Sequence, residues 1–204
     1  MLKSVYRVDF EYDNETHSGT LEKYKQDETQ LLQYLLTRVS LNLPNGTILM
    51  IPDKDFELQP WMVFWLESIK ASGYNRYIVL KMTHFITWRG RDEEEHSTWC
   101  YFHGDGDSAI TDSLKGSGAL YPEDNKSRYA IMPFNEFLRK EDYIEIGEDK
   151  MREAFCVTGY DIHTTKGVEY VSLDPMYIKD KTSIPEQKPG ESSDDYFWLN
   201  GGKD

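Results

Sequence analysis

Tyr77-Ile78-Val79-Leu80-Lys81-Met82-Thr83-His84-Phe85-Ile86-Thr87-Trp88 is the stretch on which the fold turns. It is rich in β-branched and aromatic residues and holds neither Gly nor Pro, a composition that suits a pleated, half-buried surface. Ile78, Leu80, Met82, His84, Ile86 and Trp88 share one parity, and Tyr77, Val79, Phe85 and Thr87 the other. Large apolar side chains on both parities predict a long strand buried on much of both faces. Gly73-Tyr74-Asn75 before it predicts a turn. The charged residues 89–96, which include one Gly, predict the polar tip of a protruding hairpin whose return strand is 97–103.

Toward the N-terminus, Tyr6, Val8, Phe10 and Tyr12 alternate with Arg7, Asp9 and Glu11, the period-two pattern of a half-buried strand, and Asp13-Asn14 ends it as a turn. From Asp27 the register changes. Leu31, Leu32, Leu35, Leu36 and Val39 fall at helical spacing, with Asp27 or Thr29 placed to cap, so a short amphipathic helix is predicted here, with the β-branched residues of 31–43 leaving an extended finish open. Pro44-Asn45-Gly46 predicts a turn into a strand over 47–51, closed by Pro52-Asp53-Lys54-Asp55, and the aromatic-rich residues 61–66 predict another strand.

Toward the C-terminus, residues 104–127 hold Gly104, Gly106, Gly116, Gly118 and Pro122 with few aliphatics. This is too long for an ordinary connection in a compact domain and predicts a functional loop or one ordered by a partner. Strand character returns at 129–133, 143–146, 154–163 and 168–173, with turns at 147–150 and 164–167. Short strands with turns about every ten residues predict a mainly β fold: a small antiparallel β-barrel or sandwich with one short helix and a long inserted loop. The organisation expected is a β-barrel domain over 1–178, carrying the loop at 104–127, and an extended C-terminal arm over 179–204.

A chain of 204 residues can bury one sizeable core, and an aromatic content of 14% supplies the apolar area for it. The formal charge is −13, from 23 Lys and Arg against 36 Asp and Glu, which opposes general binding to phosphate backbones or anionic membranes. No apolar run reaches the length of a membrane span, and Met1-Leu2-Lys3-Ser4 leads straight into a strand pattern, so synthesis in the cytosol is expected. Cys100 and Cys156, each in a strand-like stretch, are expected to be buried reduced thiols.

No constellation carries recognisable catalytic chemistry. His103-Gly104-Asp105-Gly106-Asp107 is the nearest approach to a metal loop, but the later bidentate Glu of a calcium loop is missing. Gly116-Ser117-Gly118 lacks the third glycine of a dinucleotide fingerprint, and the histidines at 17, 84, 96, 103 and 163 mark no triad. The expectation is a protein that is not an enzyme and uses no cofactor or metal. The most informative polar-apolar contrast is at the chain end, where Tyr196-Phe197-Trp198-Leu199 follows a Pro-, Ser- and acid-rich segment. Such a cluster either anchors the arm on a neighbouring subunit or folds back over its own domain.

Arg76-Tyr77-Ile78-Val79-Leu80-Lys81-Met82-Thr83-His84-Phe85-Ile86-Thr87-Trp88, with Ser97-Thr98-Trp99-Cys100-Tyr101-Phe102 returning, resembles the head-closure proteins of tailed bacteriophages. A second patch, Phe155-Cys156-Val157-Thr158-Gly159-Tyr160-Asp161-Ile162 followed by Gly167-Val168-Glu169-Tyr170-Val171-Ser172-Leu173, is similar to their closing strand pair. The resemblance implies a small β-barrel in a ring of copies in the virion neck. That ring would meet the portal or an adaptor above and a tail protein below, close the DNA channel without sequence-specific binding, and involve no membrane. It places the acidic loop residues Asp105, Asp107 and Asp112 toward the channel and implies no catalytic residue. The acidic balance also suits a second role, a soluble phage protein that binds and inhibits a host factor by mimicking nucleic acid.

Overall fold

The computed structural model of the chain describes residues 5–24, 31–53, 56–70, 73–104, 128–147, 153–161 and 165–176. Among them every regular element is a strand. These are β1 (Val5–Tyr12), β2 (Glu15–Lys23), β3 (Leu32–Arg38), β4 (Ile48–Pro52), β5 (Leu58–Lys70), β6 (Tyr74–Lys81), β7 (His84–Arg89), β8 (Glu95–His103), β9 (Arg128–Pro133), β10 (Tyr143–Ile146), β11 (Glu153–Asp161) and β12 (Val168–Pro175). The mainly β, antiparallel barrel class read from the sequence is the class observed, but the architecture is doubled. The first six strands form one sheet in the order β1-β2-β3-β6-β5-β4, and the last six form a closed barrel in the order β10-β11-β12-β9-β8-β7.

The β1–β2 hairpin follows from its turn. Asp13 and Asn14 both adopt left-handed backbone, at φ 54° and 61°, and Tyr12 pairs with Glu15. This two-residue turn matches the twist of the strands it joins. β2 escapes a reading by hydrophobic alternation because only Gly19 and Leu21 are buried along it. A Cβ at Gly19 would stand 2.9 Å from Leu35 Cδ1 and 3.2 Å from Phe10 Cε1, so the missing side chain is what lets β2 lie against this core.

The helix expected from the leucines at 31–36 is not formed. Residues 32–38 are β3, hydrogen-bonded to β2 on one side and β6 on the other. Leu35 packs into the interior of the first sheet, whereas Leu32 and Tyr34 pack into a second cluster on the opposite face. A strand buried on both faces carries apolar residues on both parities, and a pair of leucine doublets then satisfies helical spacing by coincidence.

The single long strand expected over 77–88 is two strands. Met82 N–H donates to Pro60 O at 2.9 Å in the first sheet, and Thr83 N–H donates to Cys100 O at 2.9 Å in the barrel, so the chain changes sheets between adjacent amides. The shared parity is accordingly divided. Ile78, Leu80 and Met82 enter one core cluster, while Ile86 and Trp88 enter another. The hairpin that follows does not protrude, because β7 and β8 are both staves of the closed barrel.

Three apolar clusters result. Val8, Phe10, Leu35, Leu49, Ile51, Trp61, Val63, Tyr77 and Val79 fill the first sheet, whose edge strands β1 and β4 curl toward each other. Ile86, Trp88, Cys100, Ala130, Met132, Ile144, Phe155, Val157 and Val171 fill the barrel, and Leu138 enters it from the β9–β10 connection. Between the two lies a joint cluster, where Met62, Phe64, Ile78 and Leu80 of the sheet meet Tyr101, Tyr129, Ile131 and Tyr170 of the barrel. Cys100 is buried and Cys156 half-buried, and both are free thiols.

Candidate interaction surface

The anchor residues Tyr196, Phe197, Trp198 and Leu199 and the loop acids Asp105, Asp107 and Asp112 lie outside the described residues. Of the His103–Asp107 motif, His103 and Gly104 are described. His103 is 5% exposed and its ring stacks on Tyr129, with centroids 4.7 Å apart and 21° between planes, so the imidazole belongs to the packing of the barrel. His103 also pairs with Tyr129 across β8 and β9, so the connection 104–127 leaves and rejoins the barrel at one point. Among the described residues no three His, Cys, Asp or Glu side chains assemble as a metal site.

The described surface is more informative at the two ends of the first sheet. At one end the β4–β5 turn is braced by Asp53: its N–H donates to Glu57 O at 2.9 Å, its Oδ1 accepts Glu57 N–H at 3.0 Å, and its carbonyl accepts Phe56 N–H at 3.2 Å. These bonds hold Phe56 at φ 64° with its side chain 88% exposed, and Leu58 beside it is 60% exposed. An aromatic residue in left-handed backbone costs energy, and no burial offsets it here. The sequence signal for this feature was an isolated Phe among acids in Asp53-Lys54-Asp55-Phe56-Glu57.

At the other end of the sheet, Arg38 pairs with Tyr74, and Val39 N–H donates to Gly73 O at 3.1 Å. Val39 is 51% and Tyr74 47% exposed, and Arg38 is exposed beside them. The adjoining acid, Glu67, is neutralised by Arg76 at 2.9 Å, whose guanidinium lies 3.5 Å over the Tyr34 ring. Behind this edge, Asn75 and Tyr77 fasten the β3–β4 connection: Tyr77 OH donates to Leu41 O at 3.1 Å and accepts Leu43 N–H at 3.1 Å, and Asn75 Nδ2 donates to Leu41 O at 2.9 Å.

The mouth of the barrel holds two carboxyl groups with altered environments. His96 is stacked between Trp88 and Phe137, at 5.5 and 4.8 Å between centroids, and its Nε2 meets both Asp92 oxygens at 3.0 and 2.9 Å. The hydrogen bond from His96 holds the Asp92 carboxyl below its ordinary range. Glu169 points into the barrel with Met132 across from it, is 2% exposed, and its Oε1 has no hydrogen-bond partner. Burial pushes its pKa up to about 7, against the opposing pull of the Asn135 N–H and the Arg139 charge. His96 meets the β9–β10 connection at Phe137, and Glu169 meets it at Asn135.

No protein-family model matches the chain, and no curated protein matches it. Among solved structures, it is similar to MrkH of K. pneumonia in its apo state, at 7% identity and a TM-score of 0.29, covering 84% of this chain and 78% of that one. A second structure, described as MrkH, a c-di-GMP-dependent transcription regulatory factor, matches at 8% identity and a TM-score of 0.28, covering 84% and 77%. Similarity at that level carries no argument for this chain.

Proposed function

We propose that the chain is a non-enzymatic structural subunit of a tailed-phage neck, working in the virion as a ring of copies that closes the DNA channel below the portal and presents a platform to the tail. The observation that carries this reading is the exposure of large apolar side chains at both ends of the first sheet, Phe56 and Leu58 at one and Val39 and Tyr74 at the other, while Phe134, Phe137 and Tyr160 are exposed elsewhere on the described surface. Exposed apolar groups at strand ends serve contact with other chains better than they serve a solitary soluble protein. The formal charge of −13 supports a wall along which a duplex slides without being held. In this reading Tyr196-Phe197-Trp198-Leu199 anchors the arm on a neighbour, and Asp105, Asp107 and Asp112 face the DNA.

Mass spectrometry of gradient-purified particles from the phage that encodes the chain tests the proposal. The expected result is a low, reproducible copy number per particle. Absence from particles, with abundance in the infected cytoplasm, overturns it and leaves the acidic inhibitor of a host factor.

A further inference from the structure

The two exposed ends of the first sheet are complementary to each other. The tip offers Phe56 and Leu58 beside Asp53 and the exposed Glu57. The far end offers Val39 and Tyr74 beside the exposed Arg38, with the nearby Glu67 charge already taken by Arg76 at 2.9 Å. One is apolar and acidic, the other apolar and basic. β5 runs the full distance between them, from Leu58 to Lys70, so they lie roughly 40 Å apart along the strand, too far to meet within one molecule.

We propose that copies of this chain associate head to tail, the Phe56 tip of one seating on the Arg38, Val39 and Tyr74 end of the next. The contact joins two different patches, so each bound copy leaves one tip and one far end open, and the series either closes as a ring or extends. The left-handed Phe56 fits this use. Its turn is fixed by the Phe56 N–H bond to Asp53 O and by two bonds between Asp53 and Glu57, which keep the ring projecting and reduce the ordering needed on contact. The contact is argued from the two surfaces, and it rests on the neck reading only for closure of the series into a ring.

Two variants of the full chain test it by sedimentation. Phe56→Gly removes the tip side chain while relieving the left-handed backbone, so it folds at least as stably as the wild type and is expected to be monomeric. Arg38→Glu combined with Val39→Ser keeps the tip but spoils the far end, and is also expected to be monomeric. Mixed in equal amounts, they retain one good tip and one good far end between them, and a dimer of one copy of each that grows no further is expected. The wild type is expected to form larger species as its concentration rises.

A wild type that stays monomeric up to its solubility limit overturns the proposal. So does a Phe56→Gly variant that assembles like the wild type, or a folded mixture that gives no dimer. A contact that passes these tests in a chain absent from phage particles stands while the neck reading falls, and particle-borne chain whose mixture gives no dimer leaves the neck reading without this contact.

Discussion

Gly46 and Gly167 meet backbone to backbone where the first sheet touches the barrel, each in left-handed conformation at φ 85° and 88°. A Cβ on Gly46 would run into the Gly167 carbonyl, and a Cβ on Gly167 would stand 2.5 Å from Asn45 O. The same junction is stitched by Asn45 Nδ2 donating to Lys166 O at 3.1 Å and by Phe134 N–H donating to Gly167 O at 3.0 Å. The left-handed backbone of each turn favours glycine on its own. Their approach to each other then leaves no room for a Cβ at either.

Ala at either position is therefore expected to cost about 2 kcal/mol or more, from the left-handed backbone plus forced separation of the two loops. Gly73→Ala is the control, since Gly73 has φ 82° but open space around it; it is expected to cost only about 1 kcal/mol. Urea unfolding of the three variants measures the difference. Equal losses would show that backbone conformation alone, and not the contact, sets the cost.

Tyr77→Phe removes the hydroxyl that accepts Leu43 N–H and donates to Leu41 O in the interior of the first sheet. With Tyr77 fully buried, Leu43 N–H loses its partner while Leu41 O keeps the Asn75 Nδ2 donor, and a loss of about 1–3 kcal/mol is expected in chemical denaturation. A neutral result would mean that the 39–47 connection finds other bonds.

Glu169 makes stability depend on pH with a definite sign. Burial raises its folded pKa from the ordinary carboxyl value of 4.5 to about 7, so the folded state binds the proton more tightly than the unfolded chain does. The contribution is fully present below pH 4.5 and is lost as pH rises through about 7, with an upper bound of about 3 kcal/mol. Melting temperatures of the wild type and Glu169→Gln between pH 5 and 8 are expected to diverge, with the variant gaining on the wild type toward pH 8. Parallel profiles would place the titration elsewhere.

The thiols are expected to separate in reactivity. Cys100 is fully buried in the barrel and its burial holds the thiol strongly protonated, whereas Cys156 is half-buried. Alkylation of the native protein followed by mass mapping should label Cys156 first and leave Cys100 protected until the barrel opens. Labelling of both at one rate would indicate that the barrel opens as readily as its surface exchanges.

Local patterns were legible where one chemical feature has one structural consequence. Asp13-Asn14 turned as read because both residues tolerate left-handed backbone, and the alternation from Tyr6 to Tyr12 named its buried face, Val8 and Phe10. The pattern misled where two faces are buried at once. Leucine doublets at 31–36 fit a helix and a two-sided strand equally well, and residues 77–88 fit one long strand although the hydrogen bonds of Met82 and Thr83 go to different sheets. Phe56 was overlooked because the alternation that marks buried faces gives no weight to a lone aromatic in a turn.

The sequence by itself determined the β class, the acid balance, the positions of most turns and the free state of two separated cysteines, since each follows from composition or from interactions within a few residues. Only the tertiary structure decided that there are two six-stranded units, which core each side of a strand enters, and that Gly46 must be bare because Gly167 faces it. Those outcomes depend on partners distant in sequence. A strand's own residues record that a face is buried but hold no information about which of two sheets will cover it.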